Sequence, residues 1–389
     1  MEAPTLLLKQ WTHQVKELFP KLHGHQQKSL AFAVLGMVLA GHAVLQKMAE
    51  EMSLQELSEA KMASIERRLQ RLIANERIDV SLCWKAFLEQ VLPYWQTKEV
   101  VLVLDCTPFG ETFTIVYLGL LVHRRVLPVA WKIMPQQTTW DQGQWELVRA
   151  LLSEVAPYFP SSNTTLIADA GLACLELIRI CLQVKWHYVL RISQEHQVRR
   201  QYQRGYAAWQ RGGQLIKKEG QQWYGSALIW KEHSFAASLA LCWEPGYEEV
   251  WVVISDRPPA RKLIKIYSWR MRVEATFQDT KSRGWHIECS AISEVSHLHR
   301  HLMVLFLAVW WVAHLGSACM EHGHRSRFDR ADRRDKGLFR LGRLYLRFLL
   351  LQTKYKQPEL RAPHLASCLP FHRTKAGWRF SIRGVRACS

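Results

Sequence analysis

The spacing of hydrophobic positions changes character twice along the chain. Residues 1 to about 97 carry helical spacing. Gln26 to Met52 is apolar-rich, with Gly only at 36 and 41. Leu54, Leu57, Ile65, Leu69 and Leu72 form one stripe, which predicts an amphipathic helix over Leu54–Asn75. Lys61, Arg67, Arg68 and Arg71 fall on its polar side. They are either a solvated face or the backbone-contacting surface of a small helical DNA-binding domain.

At Val100 the pattern turns to short apolar runs. Val100–Asp105, Thr112–Leu121 and Val126–Ile133 read as strands, Asp141–Val155 as a helix, Thr164–Asp169 as a strand. Leu172–Leu182 reads as a helix and Trp186–Ile192 as a strand. That order predicts a mixed sheet covered by helices. Residues 194–248 are rich in Gln, Gly, Trp, Tyr and Lys and read as a β-rich insertion. Glu249–Ser255 is a further strand, and from Ile264 to Thr353 the chain is mostly helical. The tail from Gln357 has no clear pattern.

One apolar run, Leu302–Met320, is interrupted by His314 alone among residues of Asp, Glu, Lys, Arg or His type. Its 19 residues are long enough to span a bilayer, or to form a helix buried in a large core. A single such run favours the buried helix. The N-terminus shows no secretory pattern.

Composition sharpens the choice of partner. The chain has 389 residues, 52 Lys plus Arg and 34 Asp plus Glu, a net charge of +18. The excess predicts a polyanionic partner, nucleic acid or an anionic membrane surface. At 48% hydrophobic content the chain is globular rather than disordered. Seventeen Trp are unusually many, and some of them could stack on bases. Nine Cys at wide spacings, with no CxxC, predict reduced thiols and exclude a disulfide framework or a zinc site. Nine Lys or Arg against three Asp between Arg325 and Arg347 make a candidate DNA-backbone surface, with Arg340, Arg343 and Arg347 at helical spacing; the alternative is a solvated face. His297, His299 and His301 alternate at i, i+2, which on a helix points them apart, so they are read as structural.

Candidate chemistry sits at two strand ends and on one helix. Asp105 and Asp169 each close an apolar run. Either alone is an ordinary turn residue; together, on strands that could be neighbours, they are more specific. On a single helix over Tyr267–Lys281, Tyr267, Arg270, Glu274 and Lys281 share a face roughly 60° wide. Asp105, Asp169 and Glu274 converging on one point would repel one another unless a cation lay between them. Oxygen donors select Mg²⁺ or Mn²⁺, and two such ions suit in-line displacement at a phosphodiester. Arg270 and Lys281 would grip phosphate oxygens and Tyr267 would offer a hydroxyl.

The pattern Y-x2-R-x3-E-x6-K, filled by Tyr267, Arg270, Glu274 and Lys281, resembles the signature of bacterial insertion-sequence DDE transposases of the hairpin-forming cut-and-paste group. The resemblance covers roughly residues 25–350. It implies an α/β, RNase H-like mixed-sheet catalytic core carrying a β-rich insertion, with a helical N-terminal domain and a helical C-terminal region. The expected boundaries are 1–97 for a DNA-binding domain, 98–193 and 249–320 for the two parts of the core, 194–248 for the insertion and 321–389 for the basic C-terminal region. The same resemblance implies two Mg²⁺ (or Mn²⁺) ions on Asp105, Asp169 and Glu274, and double-stranded DNA (terminal repeats and target) as partner. It also implies a homodimer in the synaptic complex and a bacterial cytoplasmic, nucleoid-associated location. Cleavage at element ends, a hairpin intermediate and joining to target DNA complete the expectation. The family also stacks a Trp on the hairpin; Trp251 is the best match by local pattern, with Trp230 and Trp243 as rivals. Competing readings are a hydrolytic nuclease on the same fold, a catalytically silent DNA-binding descendant and a membrane-associated basic protein.

Overall fold

The structure is a computed structural model and describes residues 3–95, 99–136, 141–281, 284–330, 332, 335–352 and 361–366. The tail expected beyond Gln357 lies almost wholly outside them, with Cys368 and Cys388.

Five helices open the chain: α1 (Ala3–Leu18), α2 (Gly24–Ala40), α3 (Leu45–Leu54), α4 (Met62–Ile73) and α5 (Val80–Val91). The amphipathic helix expected from Leu54 begins only at Met62. Glu56 adopts a left-handed conformation (φ 50°), which ends α3. Ile65, Leu69 and Leu72 are buried as the stripe predicts, while Leu54 is 79% exposed. The apolar stretch before it is bent too: α2 and α3 meet at 86°, with Gly41 in the left-handed conformation capping α2.

Three antiparallel strands come next, β1 (Val100–Phe109), β2 (Phe113–Val122) and β3 (Arg125–Pro135). Helix α6 (Gln142–Val155), capped by Asp141, leads to β4 (Thr164–Ala168), then α7 (Leu175–Gln183) and β5 (His187–Ile192). β4 pairs parallel with both β1 and β5. The expected insertion supplies β6 (Gln197–Tyr202), β7 (Gly205–Tyr206), β8 (Gln210–Arg211), β9 (Gln222–Ile229) and β10 (Phe235–Cys242). β11 (Trp251–Ser255) pairs with β10 on one side and β5 on the other, so the insertion extends the same sheet. The strand order is β3-β2-β1-β4-β5-β11-β10-β9-β6-β7, with β8 beside β6.

Helices α8 (Arg261–Ser268) and α9 (Met271–Thr280) precede the long α10 (Val295–Glu321), then α11 (Arg325–Phe328) and α12 (Leu338–Gln352). α10 contains the apolar run, and 94% of its most hydropathic window is buried. A helix apolar on every side belongs inside a core. It packs through Phe306 on Tyr117 and Trp131 of the sheet, and Trp310 Nε1 donates to the Pro128 carbonyl at 2.9 Å. Gly316 and Gly342 let α10 and α12 touch. A Cβ on Gly316 would meet the Leu338 carbonyl at 2.2 Å, and one on Gly342 the Val312 carbonyl at 2.1 Å.

The N-terminal helices join this core rather than forming a separate one. Trp11 packs edge-on against Trp311, Phe87 against Trp310, and Trp84 Nε1 donates to the Val129 carbonyl. Among the described residues, one apolar core includes side chains from both the N-terminal helices and the sheet.

Candidate active site

The sheet aligns the first two acids. Val100 pairs with Thr164 and Val103 with Ile167; the same offset puts Asp105 level with Asp169. Asp105 does not close its strand, as the sequence suggested. β1 continues to Phe109, paired with β2 through Asp105 and Tyr117, while β4 stops at Ala168. Asp105 therefore stands where the neighbouring chain turns away, which opens a gap above it. The Asp169 carboxylate accepts from the Gly171 amide at 3.1 Å and so holds that turn.

Glu274 comes from the first turn of α9. The expected single helix from Tyr267 to Lys281 is interrupted. α8 ends at Ser268, and the amides of Trp269, Arg270, Arg272 and Val273 bond three residues back, as in a 3₁₀ turn. This tighter winding rotates α9 relative to α8, so the four signature residues do not share one α-helical stripe. Arg270 and Glu274 still meet across one turn.

Arg270 joins the acids. Its Nη2 lies 2.8 Å from Asp105 and 3.1 Å from Asp169, and its Nη1 2.7 Å from Glu274. The sequence predicts this guanidinium on phosphate; in the structure it sits between the carboxylates instead. The reason is electrostatic: three acids gathered at one point need a cation, and Arg270 is the cation within reach. Among the described residues no three His, Cys, Asp or Glu side chains are grouped to hold a metal ion in this conformation. The donor set nevertheless fits a hard divalent ion: all three acids offer oxygen, and their free oxygens surround one positive charge. Exposure is graded, with the side chains of Asp105, Asp169 and Glu274 at 7%, 34% and 46%. Burial pushes the Asp105 carboxyl up to about 6, against the pull of Arg270 and with the further push of Asp169. A cation beside it has the most to gain there.

The other expected site residues separate into groups. Tyr267 is buried beside Trp251, ring centroids 5.3 Å apart at 84°. Burial raises its hydroxyl pKa, so it stays a donor, and the Arg191 guanidinium lies next to it. Trp251 is core: β11 buries it, with Tyr247 and Tyr267 edge-on against it. That placement is at odds with stacking on a DNA base, because the ring's surroundings are already filled by protein. Trp230 and Trp243 are half-buried in the insertion. Lys281 closes α9, bonds the Pro108 carbonyl at 2.6 Å and pairs with Glu288 at 2.7 Å. It ties α9 to the end of β1 instead of standing free for phosphate. On α4, Arg67 and Arg71 are exposed, whereas Arg68 lies over the Phe32 ring at 4.2 Å. Part of the basic stretch after Arg325 is also consumed inside the protein: Arg325 pairs with Asp329 at 3.0 Å and Arg327 covers the Phe348 ring. Arg340 and Arg347 are exposed and Arg343 is half-buried.

Two groups near the site escaped the sequence reading. Arg191 on β5 reaches both Tyr267 and Glu249; the signal was a lone arginine in an apolar strand. Arg125, at the start of β3, pairs with Asp279 on α9 at 2.6 Å, and the Val126 amide donates to Thr276 Oγ1 at 2.9 Å. These two bonds clamp α9 onto the β2–β3 hairpin and so fix where Glu274 points.

Residues 126–311 match the family model described as Transposase DDE domain. Over this segment, a little under half of its length, the chain is similar to a transposase DDE domain. It is a phosphoryl-transfer enzyme acting on DNA. The DDE domain implies DNA transposition, DNA binding and the use of divalent metal ions. The matched segment contains Asp169 and Glu274 and begins after Asp105, which the strand register sets level with Asp169. No curated protein matched the chain.

Proposed function

We propose that the chain is a cut-and-paste transposase working through DNA hairpins, with an RNase H-like core and Asp105, Asp169 and Glu274 as its catalytic acids. The observation that carries this reading is the convergence of those three carboxylates on one guanidinium at 2.7–3.1 Å. The strand order β3-β2-β1-β4-β5, with β1, β4 and β5 parallel, supports the core assignment.

Asp105, Asp169 and Glu274 would hold two Mg²⁺ or Mn²⁺ ions. Bound there, the ions supply activation of the attacking oxygen and stabilisation of the leaving oxygen. The chain's own residues do the rest. Arg270 keeps the acids together in the ion-free protein, and its guanidinium is then next to the phosphate when DNA is seated. The buried Tyr267 hydroxyl, kept protonated, donates to a neighbouring phosphate oxygen. Lys281 and the Arg125–Asp279 pair act as positioning residues, because they hold α9 and not the substrate. Water attack at the element end frees a 3′-OH; that hydroxyl attacks the opposite strand to close a hairpin. Hydrolysis reopens the hairpin, and the 3′ ends join target DNA. Two ends imply two protomers in the synaptic complex. Arg67 and Arg71 on α4 would add backbone contacts.

The test is a denaturing gel of labelled duplex DNA taken from the sequence flanking the gene, incubated with Mg²⁺ or Mn²⁺. A slow-migrating, metal-dependent hairpin band, lost in Glu274→Gln, is expected. Nicking with no hairpin would instead favour a hydrolytic nuclease.

A further inference from the structure

A cavity of about 530 Å³ opens on the flank of α9, between that helix and α12. Four arginines line it, Arg125, Arg340, Arg343 and Arg347, against two aspartates, Asp279 and Asp335. Asp279 is already paired with Arg125. Among the described residues, Arg340, Arg343 and Arg347 make no hydrogen bond or ion pair, yet their spacing sets all three on one face of α12. Three guanidinium groups crowded together repel one another, and Asp279, already paired with Arg125, offsets this only in part at Arg343. Burial and this crowding by Arg347 and Arg340 lower the pKa of Arg343.

Two glycines make room for these groups. A Cβ on Gly41 would meet the Arg343 guanidinium at 1.9 Å, and one on Gly337 would meet that of Arg125 at 2.0 Å. Gly41 also has φ +59°, and Gly337 begins the approach to α12. The backbone is thus kept bare where the two arginines must turn into the recess.

We propose that this recess is a second anion site, which takes a phosphate group of the DNA backbone away from the reacting phosphate. Planar guanidinium forks pair bidentately with phosphate oxygens, and a phosphate offers several converging forks more acceptor positions than one carboxylate does. Placement favours DNA over a free ion. Asp279 lies five residues beyond Glu274 on α9, about 7.5 Å along the helix axis and roughly 140° round it. One strand rising ~3.4 Å per nucleotide reaches both places within a few nucleotides. The inference rests on the transposase reading for its DNA, and the recess itself can be read without it.

The test uses full-length protein carrying Glu274→Gln, so that binding is measured without cleavage. Affinity for the flanking-sequence duplex is followed against salt, with and without Arg340→Gln/Arg347→Gln. Both arginines are exposed, so the fold should persist, checked by an unchanged melting temperature without anion. A control pair, Lys9→Gln/Lys16→Gln on α1, removes the same charge elsewhere. The slope of log K against log salt should fall by about 1.8 for the arginine pair, near 0.9 per contact, and stay put for the control. In a second arm, inorganic pyrophosphate is titrated against melting temperature. A rise seen in the parent and lost in the arginine pair, with no change in duplex slope, supports the same anion site with a free polyphosphate as its source. An unchanged slope together with no pyrophosphate effect, or an equal fall in the control, overturns the site. A chain that binds no duplex but gains stability from pyrophosphate would sink the transposase reading and keep the recess.

Discussion

At the scale of single residues, the site is built around Arg270. Its side chain is only 15% exposed and touches all three acids, so its removal leaves them facing one another without a counter-charge. Truncating one partner of a largely buried ion pair costs roughly 3 kcal/mol. Arg270→Ala should therefore melt several degrees below wild type in the absence of metal. Mg²⁺ should restore more of the loss in the variant than it adds to wild type, because the vacated positive position is then free for the ion. Equal melting temperatures in EDTA would contradict this account. Asp105 and Asp169 were legible in the sequence because a charge ending an apolar run is conspicuous, even though β1 continues past Asp105, and Glu274 because it lies one turn from an arginine. Arg270's place among the acids was not legible: the spacing shows a pair, while the convergence depends on the β1–β4 register. Trp251 shows the opposite failure, since a tryptophan in a strand reads alike whether it is buried or waiting for a base.

Among the elements, the core strands β2, β3, β4, β5 and β11 lie within two residues of the bounds the sequence predicts, because both faces are covered and leave short continuous apolar runs, while β1 runs four residues past its expected end. Helices were harder. The stretch from Tyr267 to Lys281 keeps helical composition throughout, and the 3₁₀ step at Trp269–Arg270 is set by how α8 packs on β11 and α9 on β3. The stripe expected from Leu54 fails for a related reason. Leu54 continues the period by chance, whereas the chain turns at Glu56 and restarts at Met62. The insertion was recognised by composition alone; that β10 pairs with β11 and so lengthens the main sheet is a long-range fact that local pattern does not carry.

For the whole molecule, the sequence separated an N-terminal helical domain from the core, yet the structure packs both around α10. Sequence marks a composition shift at residue 97, and the aromatic contacts that cross it involve residues more than two hundred positions apart. Burying that one long helix also buries histidines. Burial lowers His301 to about 4 and His314 to about 3. Both values lie below the ordinary 6.5, so the unfolded chain binds protons that the folded chain refuses. Their effect on stability is absent above pH 6.5 and grows as pH falls towards 4. At pH 5 each costs about 2 kcal/mol. Melting temperature should drop steeply from pH 6.5 to 5, and His314→Leu should flatten the drop; parallel curves for variant and wild type would contradict it.

The central claim is that Asp105, Asp169 and Glu274 hold the ions that cut DNA. The most direct measurement is single-turnover cleavage of the flanking-sequence duplex by Asp169→Cys in Mg²⁺ and in Mn²⁺. A thiolate is a poor ligand for Mg²⁺ and a better one for the softer Mn²⁺. The account predicts that cleavage is lost in Mg²⁺ and partly recovered in Mn²⁺, with wild type active in both. Wild-type rates for Asp169→Cys in Mg²⁺ would contradict it.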